Sequence, residues 1–546
     1  MIKQKMWKIG GVKLLIGCFF LTAVILPLIQ MLAGLKDADF GKIFSSPLVI
    51  NGIINSVCVS LCATVISVIL AFILAWCITR TGVRLKGLFR ILLILPMLIP
   101  SISHGMGLII LFGSNGIITN FLGLSNGIYG FWGIVTGSVM YSFPVAFLMI
   151  SDVLKYEDAT PYEAAQVLGI PKSRRITAIT LPYLRKPMIN VIFATFTLIV
   201  TDYGVPLMVG GAYKTLPVVM YEEVIGGLDF SQGSVFGTLL LIPAVIAFAV
   251  DMLCKNRSNA STVSKRFDPG KKPFRDIVSY IILTVTSLAV SYPIFSFVQL
   301  TFAKRYPRDL SFTLHNIEST INKGALEFLG NSVLIAVFVS VLGTAAAFIC
   351  AYFTARMPSK SSSLIHLLSI TSLAIPGMVL GLSYVLMFKG SFIYGTFAIL
   401  ILVNSIHFFS SPYLMFYNSL GKLNRNLESV GLTLGIGRVR MIKDVLLPQL
   451  VSTVAESVSY FFVNSMMTIS AVAFLATAKT KPVSLMINQF EAQVLLEAAA
   501  FVSLMILAVN LILKGVVALV KKKTAGGRKN AAEKTKNETG CYCNAD

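Results

Sequence analysis

Asn55-Ser56-Val57 returns as Asn331-Ser332-Val333. Ala71-Phe72 returns as Ala347-Phe348, Arg80 as Arg356, Ile99-Pro100 as Ile375-Pro376 and Gly105 as Gly381, each 276 residues further along the chain. Later the offset falls to 266, where Gly169 matches Gly435, Arg174 matches Arg440, Ile176 matches Ile442 and Leu181-Pro182 matches Leu447-Pro448. Chance recurrence in apolar sequence does not hold one offset over five sites. The chain is therefore a duplication, and the step between registers falls in a loop that is long at 113–128 and short at 389–392.

Each copy carries six apolar runs long enough to cross a bilayer, which takes about 20 residues. They fall at 12–34, 53–78, 88–112, 129–153, 188–209 and 234–254, then at 277–303, 328–355, 364–388, 393–416, 451–476 and 498–520. The composition agrees: 55% of residues are hydrophobic and 13% charged, and mean hydropathy is +0.80, whereas a soluble domain carries about 25% charged residues. The expectation is an all-α membrane protein of about twelve spans. Six is an even number, so the halves enter the bilayer in the same sense as parallel repeats, which puts a pathway at their interface. The first run follows Lys3, Lys5 and Lys8 but is too long for a signal peptide, so it reads as an uncleaved anchor.

The net charge of +22 comes without a nucleic-acid-binding signature and is read as orienting charge. Arg80, Arg84, Lys86 and Arg90 lie between runs two and three, and Lys172, Arg174, Arg175, Arg185 and Lys186 between four and five. Seven more lie within 255–275, and Lys521, Lys522 and Lys523 follow run twelve. These positions share one side, which the positive-inside rule makes cytoplasmic together with both termini. Lys304, Arg305 and Arg308 dissent, in a loop assigned to the outer side. The expected organisation is a first half at 1–254, a basic cytoplasmic linker at 255–275, a second half at 276–520 and a basic, mobile tail at 521–546. Eight cysteines show no CxxC pair or histidine cluster, so neither a metal site nor a disulfide framework is expected.

The segment between runs four and five reads Glu163-Ala164-Ala165-Gln166-Val167-Leu168-Gly169, with Leu181-Pro182 following. Ala and Glu favour a short helix over 161–168, and Gly169 can end it at positive φ. The second half reads Glu428-Ser429-Val430-Gly431-Leu432-Thr433-Leu434-Gly435, then Leu447-Pro448. Aligned on the glycines, Glu428 stands opposite Tyr162, so which contact the second acid makes is open. No GxxxxGK[ST] occurs in the chain, so it binds no ATP through a P-loop.

These two segments resemble the EAA loops of the permeases of binding-protein-dependent ABC importers, in a fused, double-length form similar to those for ferric iron, thiamine and phosphonates. Thr201 to Pro206, Leu216 to Gly237 and Thr468 to Asn510 look most like 2-aminoethylphosphonate permeases. The resemblance implies a permease of the bacterial inner membrane, not an enzyme, with no cofactor of its own and with ATP used by a partner. Its partners would be two copies of an ABC ATPase, an extracytoplasmic solute-binding protein and the lipid bilayer. It implies ATPase docking through Glu163, Ala164, Ala165, Gly169, Leu181 and Pro182, and through Glu428, Gly431, Gly435, Leu447 and Pro448. The solute would be 2-aminoethylphosphonate or a related phosphonate, with ferric iron or another small ion as the alternative.

Candidate residues on a translocation path are Ser101, His104, Asp202, Ser372 and Thr468. Asp202 is either a path carboxylate or a helix cap; His104 is either a path residue or a packed one. Pro100 and Pro376 should kink their helices and free carbonyls. An ion-coupled secondary transporter is the alternative class, but few ionisable residues stand in the runs. A membrane enzyme would need paired carboxylates, a Ser–Lys dyad or HExxH, and the runs offer none.

Overall fold

A computed structural model describes residues 2–123, 127–254, 269–270, 272–424 and 426–542. Among them, nine helices are long and apolar enough to cross a membrane, and three pairs of helices joined at sharp bends bring the number to twelve. These correspond one to one with the twelve apolar runs. Most of the expected linker at 255–275 lies outside the described residues. The basic tail expected at 521–546 continues the helix Leu496–Tyr542 as far as the described residues go.

The two halves share their irregularities as well as their helices. Span three breaks after a 3-10 turn at Leu95–Leu98, with Ile99 extended and Pro100 leading Ser101–Phe112. Span nine breaks in the same way: a turn at Ser372–Ala374, Ile375 extended and Pro376 leading Gly377–Phe388, across a 109° bend. A residue before proline is driven out of the helical region, so the repeated Ile-Pro makes a repeated corner. Each fifth span of a half starts with a wide π turn, Ile176–Thr180 and Ile442–Leu446. Leu181-Pro182 and Leu447-Pro448 follow directly; a π turn gives the proline ring room where an α turn would crowd the preceding carbonyl. The loop that separates the registers runs from Phe112 to Phe131 in the first half and from Phe388 to Phe397 in the second.

The fifth span ends earlier than its apolar run. The helix stops at Val200, and the chain passes through Gly204–Val209 and Leu216–Gly226 before span six, Phe230–Cys254. Much of this connection is buried, including Val205, Val209, Val219 and Met220. Such backbone needs partners, and the repeated Asn-Ser supplies them. Asn55 Nδ2 donates to the Lys214 carbonyl at 2.8 Å, and the Leu216 N–H donates to Ser56 Oγ at 2.7 Å. In the second half Asn331 Nδ2 reaches the Lys479 carbonyl at 3.1 Å, and the Val483 N–H reaches Ser332 Oγ at 2.8 Å. Gly105 and Gly381 are repeated for a related reason. A methyl group on the first would lie 2.6 Å from Met208 Cβ, and on the second 2.7 Å from the Ala471 carbonyl oxygen.

The first helix of each half grips the other half. Lys13 Nζ donates to the Met357 carbonyl and to Ser359 and Ser362 Oγ at 3.3, 2.8 and 2.8 Å. Reciprocally, Asp276 at the start of Pro273–Phe302 accepts from the Gly82 N–H at 3.0 Å, and Tyr280 Oη accepts from the Arg84 N–H at 2.7 Å. Deeper, Tyr384 Oη donates to the Ala23 carbonyl at 2.6 Å, within the π turn Leu21–Ile25 of the first span. On the side away from these contacts, the dissenting basic residues sit on a hairpin, Ala303–Arg305 with Asp309–Phe312. It is strapped down by Tyr306, whose hydroxyl donates to the Ile110 carbonyl at 2.7 Å and whose N–H donates to Glu497 at 2.7 Å.

Removing one partner of a buried hydrogen bond costs about 1–3 kcal/mol. Ser56→Ala and Ser332→Ala, each stranding a buried N–H, are therefore expected to lower the melting temperature of the detergent-purified protein. Leu61→Ala, at an exposed position on the same span as Ser56, serves as the comparison and should shift it less.

Candidate functional site: two loops on the basic side and the meeting of broken spans

The first loop helix is Thr160–Val167, started by Asp158, whose Oδ1 accepts from the Thr160 N–H and hydroxyl at 3.0 and 2.8 Å. Gly169 ends it at φ +70°. The Ile170 N–H then returns to the Ala165 carbonyl at 2.9 Å and the Gly169 N–H to the Gln166 carbonyl at 3.1 Å, closing a Schellman turn. The second loop helix, Leu427–Thr433, ends in the same way. Gly435 is at φ +69° and the Ile436 N–H bonds the Gly431 carbonyl at 2.8 Å. The positive φ expected of Gly169 is present in both copies.

The faces of these helices differ in part from the expectation. Glu163 and Ala164 are exposed, but Ala165 is buried against its own chain. Its counterpart Gly431 is buried too, where a methyl group would press on the flexible tip of Met441. The small residues at these two positions thus serve internal packing. Beside these, each helix presents an apolar side chain outward: Leu168 is 75% exposed and Leu434 is 69% exposed, one residue before each glycine. Val167 and Val430 extend these surfaces. Leu181, Pro182, Leu447 and Pro448 lie beyond the loop helices, at the entry to the fifth span of each half.

The contact left open for Glu428 is settled by the geometry. Its carboxylate turns inward and pairs side-on with Arg356, Nε to Oε1 at 2.6 Å and Nη2 to Oε2. In the first half Arg80 pairs instead with Glu157, in the turn before the loop helix. Tyr162, which occupies Glu428's place, donates its hydroxyl to Glu157 Oε1 at 2.6 Å and meets Thr180. Burial, then the bond to Glu157, pushes the Tyr162 hydroxyl pKa up. Read from sequence, the arginines serve as register marks, and Arg80 also as an orienting charge. Their place at the basic end of an apolar run, matched in both halves, is the signal that points to more.

At the other end of the broken spans, Asp202 Oδ1 and Oδ2 accept from the Gly204 and Val205 N–H groups at 3.3 and 3.1 Å. That is the capping alternative for Asp202. Ser101 is next to it, since a methyl on Gly204 would press on Ser101 Oγ and lie 2.9 Å from Ile469 of the other half. The second half inverts this contact: a methyl on Gly377, the counterpart of Ser101, would press on Ser470 Oγ, with His407 at 3.1 Å. His104 is buried, its Nδ1 is 3.2 Å from the Pro100 carbonyl, and its ring meets Tyr141 edge-on at 5.8 Å. Tyr141 and His407 occupy equivalent positions, and neither stands out in the sequence. Thr468, the counterpart of Asp202, caps Val451–Met467 and accepts from Ser484 Oγ at 2.7 Å through its carbonyl. Ser372 stands apart from this group: it ties the turn of span nine to Ser410 on span ten. The halves also meet through Ser103 with Ser503 at 2.9 Å and through Asn510 Nδ2 donating to the Leu98 carbonyl at 3.0 Å. Among the described residues no group of three or more His, Cys, Asp or Glu side chains is placed to hold a metal ion.

The chain belongs to the family of binding-protein-dependent transport system inner membrane components, which matches it twice, at residues 64–255 and 343–526. It is a multi-pass protein of the bacterial inner membrane. It is similar to the ferric transport system permease protein FbpB of Actinobacillus pleuropneumoniae, 26% identical over 423 residues that cover 74% of this chain and 61% of that one. A protein of Haemophilus influenzae named putative ferric transport system permease protein FbpB 1 is 25% identical over 74% of this chain and 66% of its own length. The chain thus spans somewhat under two thirds of the length of these two relatives. The molybdenum transport permease ModB of Azotobacter vinelandii is 28% identical over 32% of this chain and 80% of its own length.

A β-branched residue at φ near +70° is strained by about 1 kcal/mol or more, whereas Asn tolerates that region. Gly169→Val is therefore expected to speed limited proteolysis within residues 160–175 of the purified protein, and Gly169→Asn to leave it near the parent rate.

Proposed function

We propose that this chain forms the membrane pathway of an ATP-driven importer. Both permease halves are fused in one polypeptide, with residues 1–254 as the first half and 276–520 as the second. The observation that carries this reading is the pair of matched loop helices on the basic side, each ending in a Schellman turn and each exposing a leucine, Leu168 or Leu434. Family membership supports it. Lacking a P-loop, the chain takes its energy from a separate ATPase, two copies of which seat one loop helix each in an apolar groove. The basic side and both termini are then cytoplasmic.

The pathway lies between the halves, where the Ile-Pro breaks of spans three and nine meet the ends of spans five and eleven. Ser101, His104, Asp202 and Thr468 line or support it, with Tyr141, His407 and Ser470 as further members. Ile469 pressed on Gly204 closes it. Closing of the ATPases on ATP swings the loop helices, parts the halves at this contact and admits a solute brought by an external binding protein. The solute is a small ion. The names of the two long relatives favour ferric iron, whereas the resemblance of Thr201 to Pro206 and Thr468 to Asn510 favours 2-aminoethylphosphonate.

Leu168→Asp and Leu434→Asp place a charge in each apolar contact without touching the spans. The double variant is expected to reach the membrane in normal amount, to lose the co-purifying ATPase and to lose uptake by about thirtyfold or more, as for a desolvated hot-spot residue worth about 2 kcal/mol or more. Full retention of the ATPase by that variant contradicts the docking role. Normal transport by a Glu163→Ala and Gly169→Val double variant also counts against it. Competition of uptake by ferric iron against 2-aminoethylphosphonate decides the solute.

A further inference from the structure

Arg80 and Arg356 end the second span of each half, Pro47–Arg80 and Ala325–Arg356. Both guanidinium groups are buried, with side chains 3% and 2% exposed. A buried guanidinium is tolerated only when its charge and its donors are met. Both meet the end of the fourth span at one equivalent point, Arg80 Nη2 donating to the Leu154 carbonyl at 3.1 Å and Arg356 Nη1 to the Leu420 carbonyl at 3.3 Å. Arg356 adds the carbonyls of Leu423 and Asn424, each at 2.8 Å.

The acid that completes each site comes from a different position. Glu157 has Leu423 as its counterpart in the second half, and Glu428 has Tyr162 as its counterpart in the first. The carboxylate has moved five residues along the chain and still lands on the same arginine. In the second half it sits on the loop helix itself. In the first it sits before the helix, and Tyr162 relays the contact by its hydroxyl to Glu157 and by its ring, 6.0 Å from the Arg80 guanidinium carbon. Two chemical solutions to one contact indicate that the link between loop helix and second span is what each half requires, beyond filling a buried position.

We infer that Arg80 and Arg356 are positioning residues for energy coupling: each clamps its loop helix to the ends of the second and fourth spans, so that the three move as one lever. The inference rests on the reading that the loop helices dock an ATPase. Without the clamp the loop helix follows the ATPase while the spans stay behind, so ATP is hydrolysed without solute movement.

The test grafts the second half's solution onto the first. The full complex is prepared with Glu157→Leu, with Tyr162→Phe and with the double change Glu157→Leu and Tyr162→Glu. Membrane accumulation, ATPase co-purification and solute moved per ATP hydrolysed are measured for each. Tyr162→Phe is expected to keep the ATPase and to lower solute moved per ATP. Glu157→Leu is expected either to lose accumulation, from the buried charge that the carboxylate no longer balances, or to accumulate with the ATPase bound and solute per ATP down roughly tenfold. In both cases the double change is expected to restore the lost quantity to within about threefold of the parent. A double variant no better than Glu157→Leu overturns the inference, as does a Glu157→Leu variant that transports with parental coupling. Loss of ATPase binding by the parent chain itself would instead overturn the docking reading and leave the arginine contacts as structural.

Discussion

Backbone that leaves a helix inside a bilayer has no water to bond with, so its N–H and C=O groups must be met by the protein itself. This chain leaves the helix repeatedly: at Ile99-Pro100, at Ile375-Pro376, and beyond Val200 and Met467. Many of the polar side chains in the spans serve those departures. Asn55, Ser56, Asn331 and Ser332 hold the returning segments, Asp202 caps a short helix, and Asn510 covers the Leu98 carbonyl across the halves. The breaks are costly to maintain, and they converge where the halves meet. A fold meant only to span a membrane would have no use for them. A fold that must open between its halves does, because interrupted helices can tilt in parts.

The opposite end of the molecule obeys a different constraint. Two arginines are buried there against carboxylates, which is expensive unless geometry is good. They join the loop helices to the spans, while Lys13 and Asp276 join each half to the other through the first helix of each. The loop helices are therefore exposed on one face and firmly held on the other. That combination suits a surface that receives force from outside and passes it inward.

Much of this is legible in the sequence. The offsets of 276 and 266 residues reveal the duplication, the twelve runs and even the loop where the register steps, because apolar length and repeated Ile-Pro or Leu-Pro pairs have direct structural consequences. Gly169 and Gly435 are readable as left-handed helix ends. The sequence is less informative about facing. Ala165 reads as part of a docking face, but on a helix this short one turn decides between partner and interior, and it faces inward. Glu428 reads as a displaced docking acid, but its partner Arg356 is 72 residues away, a distance no local pattern reports. Asp202 stands about 14 residues into an apolar run, some 21 Å at 1.5 Å per residue, and only the early end of the helix at Val200 turns it from a mid-span charge into a cap.

The claim on which the functional account stands is that the chain cannot move solute by itself. Purified protein in sealed vesicles, with solute offered outside, can be compared under a proton or sodium gradient alone and then with the ATPase, the loaded binding protein and ATP added on the proper sides. Accumulation that appears only with the complete set, and that persists when an uncoupler collapses the gradient, is the expected result. Solute accumulation driven by the gradient in the chain alone would contradict the account.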